Sequence, residues 1–189
     1  MGFTLCGLAV EKNFSYDIGS LLGHLNIRNN KALGESTFDE INLKISDDDR
    51  IAVGFFGNGT LLMTGIEFMT NDKLLTVFSA DQSIVAFYIN DITSTYCFDF
   101  YRNGECVRKK WISLSDEGID STDNFGLILE VEKLEGDDQG VIFKLISSLL
   151  GVDFFEIEED AHMLVFEIVK PVLTKDKIEK KGFWKRLFS

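Results

Sequence analysis

One proline in 189 residues, three cysteines and two histidines leave few starting points for most catalytic or metal chemistry. Cys6, Cys97 and Cys106 are odd in number and none stands in a CxxC pair, which excludes a disulfide framework and a cysteine zinc site and reads as free thiols of a reducing compartment. His24 and His162 stand in no HExxH, no GxSxG is present, and no Cys-His pairing emerges, so both histidines read as structural and neither a metal nor a cofactor is expected. No apolar run approaches the roughly 18 residues of a membrane span, so stable membrane insertion is not expected. The start, MGFTLCGLAVEKN, has no basic region and reaches a charge at Glu11, unlike a signal peptide. Cys6 stands where a myristoylation motif takes Ser or Thr, so the expected compartment is the cytoplasm. Positive charge is also short. Nineteen Lys or Arg face 31 Asp or Glu, a net charge of −12, which excludes non-specific nucleic-acid binding and leaves a basic protein partner, or plain solubility, as the use of the acid excess.

What is abundant is phenylalanine, with 17 residues, enough large rings on strands to build a good core. The most informative stretch is Ser94–Ser113, STYCFDFYRNGECVRKKWIS. Asn103-Gly104 is a dipeptide preferred by two-residue type I′ turns, because both central residues need φ > 0. A turn there pairs Tyr101 with Cys106, Phe100 with Val107, Asp99 with Arg108, Phe98 with Lys109 and Tyr96 with Trp111. One face then carries Tyr96, Phe98, Phe100, Val107 and Trp111, and the other Asp99, Arg108 and Lys110.

Around this hairpin, Phe3–Val10 reads as a buried strand and Phe14–Asn26 as an amphipathic helix, with Ile18, Leu21, Leu22 and Leu25 on one side and Ser15 or Asp17 as cap. Asn29–Thr37 reads as a loop, Ile41–Ile45 as a strand and Asp47–Asp49 as a turn. Ile51–Phe56 and Thr60–Phe68 flank Gly57-Asn58-Gly59, a second hairpin. Leu74–Ser79, Ile84–Asn90 and Phe125–Lys133 read as strands. Asp137 or Asp138 caps a helix whose stripe runs from Val141 to Leu150 and closes at Gly151, and Met163–Val169 is the last strand. The expected fold is α+β: a mainly antiparallel sheet with two principal helices packed on it, forming one domain over residues 1–173.

Residues 174–189, TKDKIEKKGFWKRLFS, differ in composition. This short basic amphipathic segment carries +4 against −16 for the rest of the chain, and Phe183, Trp184, Lys185, Arg186 and Phe188 make it the candidate partner-binding element. It can dock on a partner, lie on an anionic membrane, or fold back on its own acidic body. Three other features read as structural. Gly54–Gly59 looks like a phosphate cradle but opens no helix and lacks GK[ST], so it reads as a turn. Asp47–Asp49 and Glu156–Asp160 lack the ligand spacing of a calcium loop and read as solvated.

Leu114-Ser115-Asp116-Glu117-Gly118, after the basic strand, and Leu149-Leu150-Gly151, at the helix end, resemble elements of small bacterial domains of unknown function, some of which look like immunity proteins of toxin systems. The resemblance implies a bacterial, non-catalytic interaction protein and assigns no site residue. With the acid excess and the missing catalytic motifs, the leading expectation is a binding protein that occludes a basic partner. Two alternatives stay open: a small enzyme or ligand sensor with its site in an aromatic-lined groove of the sheet, and a homo-oligomer or structural subunit using a strand edge or the tail.

Overall fold

β1 (Thr4–Val10) is the middle strand of a nine-stranded sheet, and six of its seven residues are buried because helices cover both of its faces. The computed structural model describes residues 4–42, 49–115 and 118–169. After β1 come α1 (Ile18–His24), β2 (Asn30–Thr37), α2 (Phe38–Asn42), β3 (Arg50–Phe56), β4 (Gly59–Thr64), α3 (Ile66–Met69) and α4 (Asp72–Phe78). The chain continues through β5 (Ile84–Asn90), β6 (Thr95–Arg102), β7 (Glu105–Ser115), β8 (Gly118–Gly126), α5 (Glu130–Leu134), α6 (Asp138–Leu150), a 3-10 turn (Phe154–Glu156) and β9 (His162–Ile168). The strand order is β2-β9-β3-β4-β1-β5-β6-β7-β8, and every pairing is antiparallel. This is the α+β architecture expected of the sequence.

Two apolar layers flank the sheet. On one face Phe87, Phe98 and Phe100 pack with Ile142, Ile146 and Leu150 of α6. On the other, Leu8, Val53 and Ala86 pack with Leu21 and Leu22 of α1, Met69 of α3 and Phe78 of α4. Each fully buried Leu or Phe contributes about 1.5–3 kcal/mol. Both longer helices foreseen in the sequence are present: Asp17 caps α1 by accepting from the Ser20 amide, Asp137 caps α6 by accepting from the Gly140 amide, and Gly151 ends α6 at φ +74°. Four further helices of four to seven residues join them.

The aromatic hairpin turns at Asn103-Gly104, with φ +53° and +74°, and Tyr101 faces Cys106 as expected. Beyond that pair the register corrects the sequence reading. Val107 is an extra residue in β7, so Phe100 faces Arg108, Asp99 faces Lys109, Phe98 faces Lys110 and Tyr96 faces Ile112. A one-residue slip moves side chains to the opposite face. Trp111 therefore sits opposite Cys97, on the Asp99 side, while Arg108 and Lys110 lie on the side of Phe98 and Phe100. The bulge is fitted by Gly126 of β8, at φ +88°, where a side-chain carbon would overlap the Val107 carbonyl.

Other expectations are corrected too. Asn29–Thr37 is not a loop: Asn30–Thr37 is edge strand β2, held by β9 alone. Ile41 belongs to helix α2, and residues 43–48, including the expected strand end and Asp47 and Asp48, lie outside the described residues. Thr60–Phe68 is extended only to Thr64 and then enters α3. Leu74–Ser79 is helical, because the Asn71 side chain accepts from the Leu74 amide and starts α4. Phe125–Lys133 is not one strand: β8 ends at Gly126 and α5 begins at Glu130.

Candidate functional site

The residues richest in chemistry meet where α4 starts above β6 and β7. Lys109 lies between two carboxylates, 3.0 Å from Asp99 and 3.3 Å from Asp72. The Tyr101 hydroxyl donates to Asp72 Oδ1 at 2.8 Å, and Trp111 Nε1 donates to Asp99 Oδ1 at 2.8 Å. Asp72 opens α4, so the network fastens that helix to the sheet.

Protonation decides what this network can do. Burial works to lower the Lys109 pKa, but its bonds and charge interactions with Asp99 and Asp72 outweigh it and hold the amine protonated, which removes it as a nucleophile. Burial and the bond to Asp72 push the Tyr101 hydroxyl well up. Burial pushes the Cys97 thiol up to about 11 and raises Cys106 as well. The Tyr101 bond, then Lys109, keep Asp72 below its ordinary value against the opposing effect of burial. The network thus offers no amine, thiol or phenol activated for nucleophilic attack near neutral pH. The aromatic face that could have formed a ligand groove is packed: Phe87, Phe98 and Phe100 are buried beneath α6.

His24 stacks on Phe78 with ring centroids 5.3 Å apart and meets Phe14 edge-on, while exposed His162 has Nδ1 3.3 Å from Glu35. They stand on different elements, and among the described residues no group of three or more His, Cys, Asp or Glu is arranged to hold a metal. The Gly57-Asn58 turn is no phosphate cradle, since the Asn58 amide donates to the Leu150 carbonyl at 2.8 Å. An open cleft of about 540 Å³ lies beside the end of α1, lined by Leu25, Asn26, Ile27, Phe68 and Ile168 among others, without a histidine or a carboxylate pair.

A different surface gathers acid around an aromatic side chain. Phe155 is 74% exposed, yet its ring is 4.7 Å from that of Phe143 and 5.9 Å from that of Phe154, both buried. Phe154 in turn meets Phe143 at 4.8 Å and Phe38 of α2 at 5.8 Å. Asp153, Glu156, Glu158, Glu159 and Asp160 are exposed along the same stretch. The amides of Phe38 and Asp39 donate to the carbonyls of Ala161 and Glu159, which adds Asp39 and Glu40 to that rim from a distant part of the chain. The sequence showed the acidic run, but not the ring that shares its surface.

The sequence-based candidates Phe183, Trp184, Lys185, Arg186 and Phe188 lie outside the described residues, as do Asp116 and Glu117 of the LSDEG stretch. Ser115 ends β7, Gly118 opens β8, and Leu149-Leu150-Gly151 closes α6. Among the described residues no helix is long and apolar enough to cross a membrane. Comparison with protein-family models, curated proteins and solved structures gives no match to this chain.

Proposed function

We propose that the protein is a non-catalytic bacterial binding protein, immunity-like in its action, that occludes a basic protein partner with its acidic surface. Phe155 carries the reading. It is a large exposed ring held in place by Phe143 and Phe154 and set among Asp153, Glu156, Glu158, Glu159 and Asp160. A rigid aromatic side chain is a good anchor for association because little conformational freedom is lost on binding. The surrounding carboxylates would speed the approach of a basic surface and reject acidic ones. An Arg or Lys laid over the Phe155 ring would be attracted by ring and carboxylates together.

The partner to test first is a basic protein encoded beside the gene. Tight binding that weakens with salt is expected, with a loss of at least tenfold in Phe155→Ala and in Glu158→Lys/Glu159→Lys at unchanged melting temperature. Binding indifferent to both changes, or a basic neighbour that does not bind at all, would overturn the reading.

A further inference from the structure

We infer that a second copy of this chain docks on the lateral edge of the sheet formed by β8 and α5, apolar patch against apolar patch. The exposed large apolar side chains concentrate there: Phe125 is 59% exposed, Leu127 83%, Ile128 61% and Leu134 82%. Phe125 comes from the last turn of strand, Leu127 and Ile128 from the connection that leaves it, and Leu134 from the helix that follows. α5 stays close to this edge because its Glu132 is bonded to Arg108 of β7, one strand in from β8. β8 itself pairs with β7 on one side only among the described residues.

Charge selects the occupant. Between Asn124 and Leu134 the charged residues are Glu130, Glu132 and Lys133. Lys133 is paired with Glu130, and Glu132 with Arg108 and Lys110. The patch is therefore close to neutral on a chain of net charge −12. A basic partner would find no excess acid here, while a second copy brings the same neutral apolar surface and meets no repulsion. The four side chains expose on the order of 500 Å² of apolar surface, more than a monomer ordinarily leaves in one region. That is somewhat below the roughly 800 Å² each partner buries in a standard interface, as expected for the centre of an isologous dimer.

Sedimentation equilibrium of the full chain over a range of concentrations tests the inference. A monomer–dimer equilibrium is expected, with the dissociation constant raised at least tenfold in Leu127→Asp/Leu134→Asp and unchanged in Tyr16→Asp, a fully exposed ring elsewhere. Hydrogen exchange should slow at Leu127–Leu134 as the dimer forms. A chain that stays monomeric at high concentration overturns the inference, and so does a dimer that ignores Leu127→Asp/Leu134→Asp or leaves those amides unprotected. Glu158→Lys/Glu159→Lys should leave the dimer intact, which separates this surface from the acidic one.

Discussion

Arg108 lays its guanidinium flat against Glu132, with Nε and Nη2 each donating to a different carboxylate oxygen at 2.8 Å, and the two side chains are only 2% and 4% exposed. Arg108 Nη1 donates to Asn124 Oδ1 and the Phe125 carbonyl, and Glu132 accepts from the Leu129 amide. One pair thus joins β7, β8 and α5. Removing a partner from a buried pair costs about 3–5 kcal/mol, because the charge left behind has no compensation. Arg108→Lys should also lower stability, since an ammonium cannot reproduce the two-pronged contact. Burial tends to raise the Glu132 pKa, but the bonds from Arg108 and Leu129 and the charges of Arg108 and Lys110 win and hold it below its ordinary value. For a depressed carboxylate the stabilisation is complete above the unfolded pKa of about 4.3 and is lost as pH falls through the folded value. Urea unfolding should show Glu132→Gln well below the wild type at pH 7 and the gap closing below about pH 4. A gap that stays constant would contradict the assignment.

Asp99 behaves in the opposite sense. Burial raises its pKa, and the bonds from Trp111 and Lys109 offset only part of that. With the folded pKa above the unfolded one, its protonation favours the folded state, and stability is withdrawn as pH rises through the folded value. A neutral isostere that still accepts from Trp111 should be tolerated: Asp99→Asn should cost under about 1 kcal/mol, and Asp99→Ala, which strands the indole N–H, about 1–3 kcal/mol. In a Trp184→Phe chain Trp111 is the sole tryptophan, and its emission should titrate with a midpoint above the ordinary aspartate value. That transition should vanish in Asp99→Asn. Its persistence would assign the titration to another group.

Central strands were legible in the sequence because both of their faces are buried: β5, IVAFYIN, is nearly a continuous apolar run, as a doubly covered strand should be. Edge strands were not. β2, NKALGEST, is mostly exposed and gains its strand character from β9, more than 120 residues later. Leu74–Phe78 fits a short strand and a short helix equally well by periodicity, and Asn71 as a cap was the deciding signal. The alternation of Leu127, Leu129 and Val131 imitated a strand, but the Glu132 side chain bonds back to the Leu129 amide and starts a helix. The acidic run 156–160 was visible as composition, whereas its neighbours Asp39 and Glu40 join it only through tertiary pairing.

Cys97 should be inert while the chain is folded. Burial lifts its thiol to about 11; the Ile112 backbone bond works against this, and the Asp99 charge adds to it. At pH 8 the thiolate fraction is then on the order of one in a thousand, and the thiolate is the reactive form. A colorimetric thiol reagent should leave Cys97 unmodified over minutes in the native protein and titrate three thiols in denaturant. Fast modification of Cys97, located by peptide mapping, would show that this part of the sheet opens readily.

Two glycine-to-alanine changes should act with opposite sign. Gly126 stands at φ +88° against the Val107 bulge, with the Val107 carbonyl in the space a methyl group would need. Gly126→Ala should therefore cost about 1–3 kcal/mol, from a backbone region that L-residues avoid and from the clash. Gly23 lies in α1 with nothing within 4 Å of where its methyl would go, so Gly23→Ala should stabilise by about 0.5–1 kcal/mol through helix propensity alone. The bulge that Gly126 accommodates also sets which face receives Trp111. If β7 loses its extra residue in Gly126→Ala, the indole leaves Asp99, and the Trp111 emission should lose its Asp99-linked titration along with the stability. A Gly126→Ala chain that keeps both its urea midpoint and that titration would show that Gly126 does not hold the register.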